Sequence, residues 1–194
     1  MKRIQRKTAP KVRDGSVQKK NRHAPTPSYW NTRQIVPVID KERPGRGHKH
    51  YLRKEHLARF IHMLPDWDEL AKGLDAVILA RGGGPEGWFD DGVIGICAWP
   101  RDPHYIVDAA YFAEHSDIFE RLGVRSSARG HEFECVFSES QIRAYQLLHI
   151  FLHELGHHHD RSTNHGEWYA EQYARKYEAR IWNQYLNEFE LENF

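Results

Sequence analysis

The sequence predicts an α+β fold, in which a small mixed β-sheet packs on a buried helix and a second long helix closes the domain. Three observations carry this expectation. Residues 75–80 and 93–99 are apolar runs of strand length. Residues 141–159 and 167–189 hold apolar residues at helical spacing. The 194 residues are 40% hydrophobic and 12% aromatic, enough for a single core of ordinary size.

Along the chain, residues 1–28 are basic, with sparse apolar residues that show no period. Such a segment buries too little surface to offset its ordering entropy, so a disordered arm is expected, followed by one domain over 29–194. Residues 34–39 read as a short extended stretch that Pro37 restricts to a sheet edge. Leu57, Phe60, Ile61 and Leu64 mark a helix over 54–64; Pro65 and Asp66 end it, and 67–70 form a further helical turn. The two strand runs follow, separated by a glycine-rich loop over 81–87 and a turn at Asp90-Asp91-Gly92. Residues 105–107 suggest a third strand, 109–122 a helix that Gly123 ends, and 133–137 another strand. Ser138 or Ser140 is the candidate N-cap of the helix over 141–159, whose apolar residues wrap almost all round it and call for a central position.

Charge is divided along the chain. The net charge is +1, yet residues 1–54 hold 16 Lys/Arg against 3 Asp/Glu and the remainder 12 against 24. The basic segment can serve as an electrostatic arm for nucleic acid or an acidic partner, or as a solubilising tail. Cys97 and Cys135 lie in apolar segments and read as buried free thiols, which with the absence of an apolar leader suggests a cytoplasmic protein. No run is long enough to span a membrane.

The chemistry concentrates in His153-Glu154-Leu155-Gly156-His157. Helical residues four apart share one face, so His153 and His157 can place two imidazole nitrogens on one zinc ion. Glu154 faces the same cleft out of ligand reach, where it can hold and deprotonate a zinc-activated water. Gly156 weakens the helix by about 1 kcal/mol relative to Ala, a sign that something packs close to it.

Zinc needs a third ligand and an open position. A metzincin would carry His six residues after His157, but Thr163 stands there. Glu167 is the leading candidate, with Asp160 and His165 as alternatives. Glu167, Ala170, Glu171 and Ala174 share a helix face whose alanines permit close approach to the metal helix. Glu171 can then accept a hydrogen bond from a ligand histidine. His149, one turn before His153, is either a cleft residue or a core histidine. His158 lies off the metal face and is expected to be exposed.

His-Glu-Leu-Gly-His followed by Glu-Trp-Tyr-Ala-Glu-Gln-Tyr-Ala resembles the gluzincin metallopeptidases, in particular the anthrax lethal factor-like catalytic domains. The resemblance covers roughly residues 140–180 and, more loosely, the strands before them. It implies a zincin-like fold and a one-zinc peptidase acting on peptide or protein, an endopeptidase rather than an exopeptidase. His153, His157 and Glu167 would be its ligands, Glu154 its general base and Glu171 the residue orienting a ligand. It also implies an edge strand that binds substrate by strand addition, for which 93–99 is the candidate. Two departures stand out. The gap between His157 and Glu167 is short, and the family's oxyanion-assisting tyrosine is replaced at the matching offset by Asp160. His165, Tyr169 and Tyr173 are the candidate substitutes. A non-catalytic zinc-site module carrying the basic arm is the alternative reading.

Overall fold

The computed structural model describes residues 27–160 and 166–191, together with the backbone pairing of β1 (Val12–Arg13) with β2 (Ser16–Val17). The arm expected over 1–28, with its nucleic-acid or acidic partner, otherwise lies outside the described residues except at its last two positions. A 3-10 turn over Ser28–Trp30 buries Tyr29 and sets Trp30 against Trp88, their rings stacked at 6.1 Å.

The main sheet begins with β3 (Val38–Lys41), which follows Pro37 and lies at an edge, as the proline requires. Next come β4 (His48–Lys49), α1 (Lys54–Met63) and α2 (Trp67–Leu70), then β5 (Ala76–Ala80), β6 (Gly87–Asp90) and β7 (Val93–Cys97). The sheet order is β3-β5-β7-β6, parallel across its first two pairs and antiparallel at β6–β7. Strands β5 and β7 read as unbroken apolar runs because both of their faces are covered. Val77, Leu79, Ile94 and Ile96 join the large core under the helices. Ala76, Ile78, Ala80, Val93 and Cys97 pack with Tyr29 on the opposite face.

This arrangement corrects the expectation that 93–99 supplies an edge. β7 is paired on both sides, and the edge beside the helices is β6. The second neighbour of β7 is β6, which pairs with it through a two-residue hairpin. Asp91 and Gly92 both adopt positive φ, 36° and 85°, which matches the twist of the flanking strands. The glycine-rich loop over 81–87 therefore runs directly into a strand.

The chain continues through β8 (Trp99–Pro100), which pairs with β4, to β9 (His104–Asp108) and α3 (Ala109–Arg121), whose N-cap Asp108 accepts from the Tyr111 amide. Strands β10 (Arg125–Arg129) and β11 (Glu132–Val136) complete a second, antiparallel sheet in the order β10-β11-β9. β10 is exposed throughout and has no apolar alternation, so its sequence carried no strand signal.

A single rod then spans 139–159: α4 (Glu139–Tyr145), a π-helical turn over Gln146–Phe151, and α5 (Leu152–His159). Ser138 caps it, its Oγ accepting from the Gln141 amide at 3.2 Å while Gln141 Oε1 accepts from the Ser138 amide at 2.8 Å. Leu147, Leu148, Phe151, Leu152 and Leu155 are fully buried, as their distribution round the helix foretold. The last helix, α6 (Gly166–Glu188), packs along α5. Among the described residues, no helix is long and apolar enough to cross a membrane. Cys97 and Cys135 are buried free thiols.

Candidate metal centre

Close contact between α5 and α6 builds the site. A Cβ added to Gly156 would lie 2.7 Å from the Ala170 Cα and 3.0 Å from the Tyr173 Cβ, so only glycine allows this approach. Ala170 and Ala174 are fully buried in the same seam. The expected small-residue contact is therefore present, and it carries Glu167 to the two histidines.

His153 Nε2 lies 3.1 Å from His157 Nε2 and 3.1 Å from Glu167 Oε2, and His157 Nε2 lies 3.6 Å from Glu167 Oε2. Four-coordinate zinc with bonds near 2.0–2.2 Å holds its ligand atoms about 3.4 Å apart. The triangle therefore has the dimensions of three corners of such a site. Two imidazole nitrogens this close are compatible only if a cation or a shared proton lies between them. The Glu167 side chain is 84% exposed, leaving the outer side of the triangle open.

The inner side is braced by Glu171. Its Oε2 faces His153 Nδ1 at 3.5 Å and His149 Nε2 at 3.6 Å, while its Oε1 accepts from Arg175 Nε at 2.8 Å. Burial alone would raise this carboxyl. The His153 ring, His149 and Arg175 outweigh that effect and hold it down at about 2, so Glu171 is a carboxylate facing the buried edge of His153.

Glu154, on the same helix as the two histidines, is buried and lines the same cleft. A Cβ on Gly87 would come within 2.6 Å of Glu154 Oε1, so the β6 backbone bears directly on this carboxyl. Burial, reinforced by the Glu167 charge and partly offset by His153, pushes the Glu154 carboxyl up to about 7. Burial and the neighbouring His153 lower His157.

These groups line a cleft of about 860 Å³ whose far wall is the β6 edge, Gly87, Trp88 and Phe89. Sequence reasoning missed β6, Glu86, Tyr105 and Tyr111 in this cleft. Glu86 accepts from both the Tyr105 and Tyr111 hydroxyls, and Tyr111 also bonds the buried Tyr145 hydroxyl at 2.6 Å. The Asp91-Gly92 pair was a sequence signal for the hairpin that creates this wall.

The remaining expected residues fall into separate places. His149 is buried and lines the cleft. Asp160 also lines it, just past the end of α5, and its charge supports His157, but it is not in the ligand triangle. Tyr169 and Tyr173 are not brought to the cleft. They follow Glu167 by two and six residues, which turns them about 200° and 240° round the helix. Tyr173 stacks instead on His159 and Tyr177. His165 lies outside the described residues. His158 is half-buried rather than exposed, its Nε2 at 3.0 Å from the Lys72 carbonyl and its ring edge-on to Phe89.

Searches against protein-family models, curated proteins and solved structures return no match to this chain.

Proposed function

We propose that this protein is a zinc-dependent metallopeptidase of the gluzincin type with a zincin-like fold. The observation that carries this reading is the His153–His157–Glu167 triangle, at the spacing of a four-coordinate ion, with a buried carboxyl of raised pKa beside it.

His153 and His157 would hold zinc through Nε2 and Glu167 through a carboxylate oxygen. Zinc supplies Lewis acidity there, acidifying water and polarising a carbonyl. Glu154 performs the proton transfers. Its raised affinity for protons lets it take one from the attacking water and return it to the departing amine. Contact with Gly87 fixes its position. Glu171 orients the His153 ring from behind. The β6 edge runs along the cleft, and an extended peptide can align there by main-chain hydrogen bonding.

The test is cleavage of a random-sequence peptide library by zinc-loaded protein, read by mass spectrometry. Glu154→Gln should retain stoichiometric zinc and lose cleavage. Absence of cleavage by the loaded wild type, or full activity in Glu154→Gln, would overturn the reading.

A further inference from the structure

We infer that the protein holds a second divalent transition-metal ion, bound by His115, His149 and Glu171 behind the first site. This site does not depend on peptidase activity.

One ligand-type atom from each of the three residues falls within 4.8 Å of the other two, and all three side chains are buried. His149 Nε2 and Glu171 Oε2 are 3.6 Å apart, already near the spacing of about 3.4 Å found around a four-coordinate ion. The His115 and His149 rings meet edge-on at 4.7 Å. Closing separations of up to 4.8 Å to about 3.4 Å, a change of at most about 1.4 Å, brings the full set to bonding distance.

The tautomer of His115 is suited to this role. Its Nδ1 lies 2.8 Å from the Tyr111 carbonyl oxygen, which can only accept, so Nδ1 carries the proton and Nε2 presents a lone pair. Stacking on Tyr111 at 4.0 Å fixes the ring. His149 lies on the π-helical turn, a rare form that is frequent at functional sites. It stacks on Tyr145 at 5.1 Å, and its side chain is only 4% exposed, with Nε2 turned to Glu171 Oε2.

The surroundings favour a cation. Glu86 and Glu114 line the same cleft, and among the described residues no lysine or arginine lines it. Arg175 neutralises one oxygen of Glu171 and leaves Oε2 facing both His149 and His153. Glu171 therefore serves both sites, orienting a ligand of the first and binding at the second. A borderline ion such as Zn2+ or Co2+ suits the two-imidazole, one-carboxylate set.

Equilibrium dialysis against Zn2+ with elemental analysis tests this directly. Wild type should hold two ions per chain. His115→Phe and His149→Phe keep a ring against Tyr111 or Tyr145 and should each hold one, as should His157→Ala. His115→Phe with His157→Ala together should hold none. Glu171→Gln should weaken both sites. Two ions retained in His115→Phe and His149→Phe, or a wild type whose ion count those variants leave at one, would overturn the proposal. Loss of the first site would instead appear as one ion in wild type, none in His115→Phe and one in His157→Ala, which separates the two readings. Zinc titration of His157→Ala followed by proton NMR reads the site alone. One equivalent should shift the imidazole N–H that His115 donates to the Tyr111 carbonyl, and an unshifted signal overturns the site.

Discussion

The backbone of Gly87 bears on the Glu154 carboxyl so closely that a methyl group at Gly87 would stand 2.6 Å from Oε1. The sheet edge and the candidate base are thus one mechanical unit. Gly87→Ala is expected to displace Glu154 and the neighbouring Ile150 without touching the metal triangle. Zinc content should remain stoichiometric while kcat falls by roughly 10²-fold or more, the scale of a misplaced general base. Metal analysis paired with steady-state kinetics checks it, and unchanged kcat would show that Glu154 tolerates the shift.

Glu171→Gln removes the charge that faces the buried nitrogen of His153. Loss of such a partner lowers metal affinity about 10–100-fold. Competition with a chromophoric chelator measures the change at the His153–His157–Glu167 site. An affinity equal to wild type would mean that the 3.5 Å contact does not orient the ring.

Gly156→Ala sets helical propensity against space. Alanine favours the helix by about 1 kcal/mol. The new methyl would, however, lie 2.7 Å from a backbone atom of α6, and overpacking of this kind costs about 1–3 kcal/mol. The expected result is a net loss of stability together with weaker zinc binding, because α6 must move away and carry Glu167 with it. Thermal unfolding with and without zinc reads both effects.

The phenols around Glu86 give a pH dependence with a definite sign. Burial first, and then the Glu86 charge, raise Tyr105 and Tyr111 far above the ordinary value of 10; burial likewise raises Tyr145. In the unfolded chain these groups ionise near pH 10, whereas in the folded chain they keep their protons. Their contribution to stability is complete below pH 10 and is lost progressively above it. Glu86→Gln should bring Tyr105 and Tyr111 down without restoring the ordinary value, since burial persists. Absorbance titration of tyrosinate, wild type against variant, follows the shift.

The grouping of His153, His157 and Glu167 was legible in the sequence because it depends on local geometry. His153 and His157 are one helical turn apart, and Gly156, Ala170 and Ala174 announced the close seam that delivers Glu167. The far wall was not legible. β7 reads as apolar in either position, and only its pairing partners distinguish an edge from an interior strand. Its neighbour β6 begins at a glycine after a glycine-rich loop, where propensity opposes a strand and tertiary contact with α5 favours one. Tyr105 and Tyr111 belong to β9 and α3, distant in sequence from the motif, and no spacing rule links them to it. Tyr169 and Tyr173 were adjacent to the motif in sequence but on the wrong side of α6.

Glu167 stands at the solvent-exposed corner of the triangle, its side chain 84% exposed, while His153 and His157 are held on the partly buried helix behind it. If zinc occupies the triangle as proposed, a chelator would reach that ion by swinging aside one surface carboxylate, with no helix having to open. Loading and stripping at the triangle should then be fast and reversible, so that its occupancy follows the free-ion level of the surroundings from moment to moment.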